Sequence, residues 1–429
     1  MSASFREAAA SSDRMFWLDG GGARPWSGSR SVLGVLADDD VSLTYDAGTR
    51  TVLRHQGGSS EVVGDDIFTV LEEQVALDGG DPEVSWVGYL GYACRPDLPA
   101  RPSTSLPDAV WMRVPSSLRL RHRGWSPGQP SRMTSEEPPA GTSSGVVAET
   151  ATPHDAAYAE AFAEVQRQLR LGNSYEVNLT YREQVESSQD PVTAYLRLRE
   201  LNPAPYSGYL QHRGVHLLSS SPERFATVDR HRTLEARPIK GTTPRGATAE
   251  EDERHRHRLA TDPKYRAENL MIVDLLRNDL SMVCDPGTVT VPSLMEVESY
   301  ESVHQLVSTV RGRLRDEVTT IGALRALFPA GSMTGAPKRR TMEIIDAVEA
   351  TPRGVYAGAF GWLSGDGRAD LSVVIRSLVT STRGGSTAPH VYELGTGGGI
   401  TVRSELEEEW DETRWKAARL RAALDGSLP

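Results

Sequence analysis

The sequence predicts an α+β fold, and three observations carry that expectation. Short strand-like runs recur between Gly, Asp and Ser punctuation, amphipathic helical stretches are interleaved with them, and the length of 429 residues exceeds what one small core organises. Length alone sets a prior of roughly two to three domains. An apolar content of 38% with 24% charged residues suits a globular chain rather than a disordered one.

In chain order, Met1 to Arg14 is Ser/Ala-rich and polar, without the apolar stretch of a secretory signal. Arg14 to Asp19, Ser31 to Ala37, Ser42 to Tyr45 and Thr51 to His55 read as strands. Asp66 to Leu77 places Ile67, Val70, Leu71 and Val75 on one helical face. Ser85 to Tyr92 is aromatic-rich, with glycines where a strand bends or approaches other backbone. From Ser126 to Pro153 the composition shifts to Pro, Ser, Thr, Gly and Glu, a linker or long surface loop. The expected organisation is therefore an N-terminal region 1–125, a connecting segment 126–153 and a larger region 154–424. In the latter, Ala156 to Leu171 is an amphipathic helix, and Val177 to Tyr181 and Gly214 to Ser220 are strands. Asp262-Pro263 is an N-cap followed by proline in the first turn. The helix it opens contains Leu270 to Leu276, apolar except Asp274 and expected to be largely buried, and a last helix runs from about Glu405 to Leu424.

Several function classes fall away. No apolar run approaches the roughly 18 residues that cross a bilayer. Two cysteines, Cys94 and Cys284, make no disulfide framework, which points to a reducing cytoplasm. A net charge of −11 argues against a nucleic-acid binder. It also means that any anion site must be built locally, from a metal ion, a few cations and backbone N–H groups.

Candidate chemistry sits in five places, each with a plain structural alternative. Glu409, Glu412 and Lys416 share one face of the last helix, as a solvated acidic face or, beside Gly395 to Gly399, as an anion-receiving wall. Glu268, at the edge of the apolar helix, pairs with an arginine or holds a hard cation such as Mg²⁺. Lys240, between Pro238 and Gly241, is a solvated cation or a lysine whose proton affinity a dry pocket lowers. Glu223 pairs Arg224 at a turn or serves as a buried general acid. His304 is structural or donates to a leaving hydroxyl.

Taken together these runs resemble the chorismate-utilising enzymes, which include anthranilate synthase component I, aminodeoxychorismate synthase component I, and the isochorismate and salicylate synthases. The matching runs are Asn173 to Thr180, Ser221 to Phe225, Arg237 to Thr242, Ala267 to Leu275, Arg277 to Leu280, Gly331 to Lys338, Gly395 to Gly399 and Asp411-Glu412-Thr413. They follow the family's order over Tyr158 to Ala422, with a fainter match from Trp17 to Tyr92. The resemblance implies a two-lobed α+β sandwich of large antiparallel sheets with helices outside, as in anthranilate synthase component I. It implies that Glu268 and Glu412 bind Mg²⁺, with Glu409 supporting its water shell, and that the ion grips the ring carboxylate of chorismate. It places Gly397, Gly398, Gly399 and Lys416 on that carboxylate, Tyr356 and Arg376 on the enolpyruvyl carboxylate, and Thr242 and Ser332 in the ring pocket.

The isochorismate-type members carry a lysine base where this chain has Glu176, and anthranilate synthases usually read Pro-Ile-Ala-Gly-Thr where this chain has Lys240. The Pro-Ile-Lys-Gly-Thr form is similar to that of aminodeoxychorismate synthase component I, on the route to para-aminobenzoate and folate. The implied chemistry is attack of Lys240 on C2 as the C4 hydroxyl leaves, assisted by Glu223 and His304, followed by ammonia at C4. Neither cysteine sits in a glycine-flanked nucleophile turn, so a separate glutamine amidotransferase subunit is the expected ammonia source. Trp17-Leu18-Asp19-Gly20 stands where anthranilate synthases show Leu-Leu-Glu-Ser, which speaks against tryptophan feedback. The rival readings are anthranilate synthase component I and a catalytically silent chorismate-binding regulatory subunit.

Overall fold

The computed structural model of the chain describes residues 2–20, 31–103, 105–115, 120–121, 155–300, 303–382 and 389–425. The linker expected at Ser126 to Pro153 lies outside the described residues. Two large sheets dominate. The first has nine strands in the order Gly335–Ala336, Glu176–Ser187, His390–Ile400, Ser377–Ser381, Val215–Ser221, Tyr206–His212, Arg14–Asp19, Val32–Val35 and Leu120–Arg121. The second has twelve, and its main path runs Ile239–Pro244, Val303–Arg313, Thr233–Arg237, Arg224–Val228, Ala369–Val373, Ala359–Ser364, Ser85–Leu90, Ala109–Val114, Ser42–Asp46, Thr51–Gln56 and Ser59–Gly64. Thr290–Ser299 pairs with Val303–Arg313 beside that path.

Antiparallel pairing explains how segments distant in sequence become neighbours. Arg14–Asp19 lies against Tyr206–His212, and Ser85–Leu90 against Ala359–Ser364, both antiparallel. Among the described residues, strands of the N-terminal region therefore enter both sheets. The physical reason is coverage: Ser85–Leu90 has apolar or aromatic side chains on both faces, with Trp86, Val87, Tyr89 and Leu90 all buried, so it belongs inside a large sheet.

The sheets face each other across an apolar layer in which Val87, Tyr89, Val110 and Met112 from one meet Phe16, Leu210, Leu217 and Val379 from the other. Helices cover the outsides. Ala194, Tyr195, Leu198, Ala417 and Leu420 pack on the outer face of the first sheet around Trp17, which is fully buried with Phe5 and Tyr195 at 4.9 and 5.6 Å. Ile272, Val273, Leu276 and Leu280 pack on the second sheet against Phe225, Leu234 and Val310. This is the α+β sandwich with outer helices that the family resemblance implied.

The Pro263–Ser281 helix starts as its sequence dictates: Asp262 caps it, accepting from Lys264 N at 2.8 Å, and Pro263 occupies the first turn. Its apolar run is less buried than expected. Leu270 is 52% exposed and Asp274 is exposed with it, because residues four apart share the outer face, while Ile272, Val273 and Leu276 point inward. Full burial of each inward side chain contributes roughly 1.5–3 kcal/mol, enough to fix which face turns in and hence where Glu268 lies.

Candidate active site

One cavity collects nearly all the singled-out residues, from both sheets. Lys240 and Thr242 come from the Ile239–Pro244 strand, Glu223 from the turn before Arg224–Val228, and Glu268 from the Pro263–Ser281 helix. Ser332 comes from the short helical turn Gly331–Met333, and Tyr356 and Arg376 from loops. Gly397, Gly398 and Gly399 lie on the His390–Ile400 strand, and Glu409, Glu412 and Lys416 on the last helix, Leu406–Asp425.

Lys240 is buried, as expected for a lysine in a dry pocket, but it is not left to lose its proton. Its Nζ forms a short ion pair with Glu176 Oε1 from the neighbouring sheet. Burial works against the ammonium, yet the carboxylates of Glu176, Glu268 and Glu223 more than offset it, and the proton affinity lies above that of an ordinary lysine. The backbone after it needs glycine twice over. Gly241 has φ +92°, and a Cβ there would meet Leu259 Cδ1 at 2.9 Å and the Tyr265 ring at 3.0 Å.

Glu223 is buried on the cavity wall. Burial pushes its carboxyl up to about 7, and Ser332 Oγ donates to its Oε1 at 2.6 Å. Arg224 is engaged elsewhere, with Glu235 at 2.6 Å and Tyr206 Oη at 2.6 Å, so the surface-pair alternative for Glu223 does not describe this site. His304 is placed differently. It is fully buried off the cavity wall, with Nε2 3.0 Å from Asp252 and Nδ1 2.8 Å from Ser299 Oγ, which ties two flanking elements together. Strand alternation explains the difference, since the next residue, Gln305, is the one that lines the cavity.

The acidic wall is interleaved with cations. Glu409 is buried and accepts from Lys264 Nζ at 2.9 Å, and Glu412 pairs with Lys416 at 2.6 Å, which holds its carboxyl below the usual range. Glu268 differs from both. Its Oε1 is buried without a hydrogen-bond partner among the described residues, and burial raises its carboxyl to about 8. Among the described residues, no three carboxylate, imidazole or thiolate groups are gathered at metal-ligating spacing as they lie. The donor chemistry nonetheless fits a hard divalent cation: Glu268, Glu409 and Glu412 line one cavity, and Glu268 presents a buried oxygen that nothing among the described residues satisfies.

Gly395 to Gly399 form part of a strand rather than a loop, paired in register with Asn178 to Arg182. The glycines permit close approach. A Cβ on Gly398 would stand 3.0 Å from Glu409 Oε2, and one on Gly399 would press into the Glu176–Lys240 pair. Lys416 reaches the same strand, donating to Gly397 O at 2.8 Å. Opposite, Arg376 has a left-handed backbone (φ +52°), a conformation a residue with a side chain adopts only under constraint. Its guanidinium lies 5.3 Å from the Trp415 ring centroid, and burial brings it down to about 10. Tyr356 lies flat on Gly395, its phenol pushed up to about 12 by burial. The wall thus sets Lys240, Lys264, Lys416 and Arg376 against Glu223, Glu268, Glu409 and Glu412, a local cluster of cations inside a chain of net charge −11.

Residues to which the sequence reading gave no role also face this cavity, among them Asn178, Lys264, Tyr265, Gln305 and Met333, and Glu176, noted there as the position that differs from the isochorismate-type members, lies behind Lys240. Lys264 sits directly after the Asp262-Pro263 cap, and its four-residue spacing to Glu268 was a signal on the same helical face. Gln305 had no signal of its own.

Residues 28–422 match the family described as chorismate binding enzyme. Aminodeoxychorismate synthase of Streptomyces pristinaespiralis is 39% identical over 461 residues, covering 98% of this chain and 63% of that protein. A protein named anthranilate synthase component 1 from Haloarcula marismortui is 42% identical over 293 residues, covering 68% of this chain and 58% of that one. The chain spans less than two thirds of the length of either relative. The crystal structure of anthranilate synthase component I from Streptococcus pneumoniae has the same fold, with a TM-score of 0.70 at 24% identity and 93% of each chain covered. No helix among the described residues is long and apolar enough to cross a membrane.

Proposed function

The chain belongs to the chorismate-binding enzymes, and we propose that it replaces the C4 hydroxyl of chorismate with ammonia, giving 4-amino-4-deoxychorismate on the route to para-aminobenzoate. One observation carries this reading: a buried lysine amine, Lys240, and a carboxyl group poised near neutrality, Glu223, line the same cavity. The likeness to the Streptomyces aminodeoxychorismate synthase over nearly the whole chain supports it, while the likeness to the Haloarcula anthranilate synthase covers 68%.

Lys240 attacks C2, the ring double bonds shift, and the C4–O bond breaks as Glu223 delivers its proton to the departing hydroxyl. Ammonia then adds at C4 and displaces the lysine from C2, and the surplus proton returns to Glu223. Two displacements replace one difficult substitution. Arg376 and Tyr356 receive the enolpyruvyl carboxylate, Lys416 and the Gly397 to Gly399 strand the ring carboxylate, and Thr242 and Ser332 face the ring. His304 is assigned to holding Asp252 and Ser299 together, not to the hydroxyl.

Mg²⁺ would be held by Glu268 and Glu412, with Glu409 supporting its water shell, and would supply charge neutralisation for the ring carboxylate. Because Glu268 must release a proton to bind it, apparent Mg²⁺ affinity should rise with pH, by up to about tenfold per unit, and level off above about 8. Calorimetric titration at pH 6, 7, 8 and 9 measures this, and Glu268→Gln should flatten the profile while weakening binding. A pH-independent wild-type affinity would remove Glu268 from the site.

The ammonia source is a separate glutamine amidotransferase partner, in keeping with the "component" naming of the relatives. The chain is expected to act in the cytoplasm. The deciding experiment incubates the purified chain with chorismate, Mg²⁺ and ammonium and identifies the product by mass and chromatography. 4-Amino-4-deoxychorismate is expected; anthranilate would move the chain to the other branch, and no turnover would favour a silent chorismate-binding subunit.

A further inference from the structure

Resting on the reading of Lys240 as the nucleophile, we propose that Glu176 is the base that takes the proton from its ammonium and so arms the amine. The geometry is specific. Glu176 is fully buried at the start of the Glu176–Ser187 strand, with Oε1 on Lys240 Nζ and Oε2 without a partner among the described residues. Strand pairing with Ala336 fixes its backbone, and the Gly399 Cα, with no Cβ to intervene, closes over the pair.

A purely stabilising role accounts poorly for this arrangement. A buried ion pair contributes little more than apolar side chains of the same volume would, because both charges must be desolvated. A protonated lysine, meanwhile, cannot attack, and its surroundings hold that proton firmly. The other carboxyl groups facing Lys240 are Glu268 from the Pro263–Ser281 helix, Glu223 from its turn and Glu412 from the last helix. Glu223 accepts from Ser332, and Glu412 is committed to Lys416. Glu176 alone among them contacts the amine.

The step balances. Lys240 ammonium and Glu176 carboxylate become amine and carboxylic acid, and the amine lone pair then forms the C2–N bond as the C4–O bond breaks. Glu223 converts the leaving hydroxyl to water. When ammonia displaces the lysine, the departing amine takes its proton back from Glu176, and Glu223 recovers one from the ammonium formed at C4. The sum is chorismate plus ammonia giving 4-amino-4-deoxychorismate plus water.

The test compares Glu176→Gln and Glu176→Asp with the wild type, after circular dichroism establishes folding and calorimetry establishes chorismate binding. At pH 7.5 the glutamine variant should lose turnover and the substrate adduct seen by intact mass, by on the order of 10²-fold or more. Its deficit relative to wild type should shrink about tenfold per unit as pH rises, since the lysine then sheds its proton to solvent. The aspartate variant should restore turnover in part with a wild-type profile. Wild-type turnover in Glu176→Gln, or a deficit that ignores pH, would overturn the proposal while leaving the nucleophile reading intact. Should Glu176→Gln fail to fold, Glu176→Asp decides: a wild-type profile supports the assignment and a lysine-like alkaline profile overturns it. A wild-type chain that forms product without any adduct removes both.

Discussion

Lys240→Ala is expected to abolish the covalent substrate adduct and to lower turnover on the order of 10³-fold or more, with chorismate still bound. The first effect follows from removing the only atom proposed to bond C2, and losses of this size are typical when a nucleophile acts as one unit with its partners. Binding should survive because the carboxylate-receiving groups, Arg376, Tyr356 and Lys416, lie on other elements and keep their own partners. One complication has a definite sign. Truncating Lys240 strands Glu176, which is fully buried, and breaking a buried pair costs about 3–5 kcal/mol unless the orphan takes up a proton. The variant should therefore be less stable than wild type at neutral pH. The double variant Lys240→Met, Glu176→Gln removes both charges and should regain most of that stability while remaining inactive. Intact mass of quenched reactions, steady-state rates and urea midpoints read the three effects separately. An adduct that persists in Lys240→Ala would place the nucleophile elsewhere.

What the sequence made legible, and what it hid, divides along a physical line. Elements whose own residues decide their structure were readable: the Asp262-Pro263 helix start, the Arg14 to Asp19 strand and the helix after Asp66 all appear where capping and periodicity put them. Strands whose residues are polar on one face, such as Ser59–Gly64 and Thr290–Ser299, gave no such signal because their neighbours, not their composition, define them. The entry of the N-terminal strands into both sheets was equally hidden, since pairing between Ser85–Leu90 and Ala359–Ser364 is a property of two distant segments. In the site, motif runs located the cavity residues, but not the partner each one faces. His304 and Gln305 are adjacent in sequence and point to opposite sides of one strand, and only the register settles which of them meets the cavity. The Glu176–Lys240 contact crosses 64 positions between strands of different sheets, and it reverses the expectation that burial would lower the lysine's proton affinity.

Glu349→Ala should cost about 3–5 kcal/mol of stability, although Glu349 does not line the cavity. Its side chain is 1% exposed and gathers five donors: Thr180 N and Oγ1 at 2.9 and 2.8 Å, Arg182 at 2.8 Å, and Arg353 Nη2 and Nε at 2.7 and 3.1 Å. Burial alone would raise its carboxyl, but Arg353 and Arg182 outweigh that and hold it below the ordinary range. Removing it leaves two guanidinium groups buried without their ion-pair partner, since Arg182 and Arg353 are themselves 3% and 2% exposed at the side chain. Arginine cannot escape by giving up its proton, so the loss should persist across neutral and acidic pH. Glu349→Gln, which keeps the shape and removes the charge, should lose nearly as much, and a urea midpoint unchanged in either variant would sink the argument. The consequence reaches the site because Arg353 also donates to Asn178 O at 2.7 Å and to Met333 O at 2.6 Å, and both residues line the cavity beside Ser332. Turnover should therefore fall in these variants at temperatures where the chain is still folded. The KM for chorismate should rise with it, because the segments Arg353 ties together carry Asn178, Met333 and Ser332 on the cavity wall.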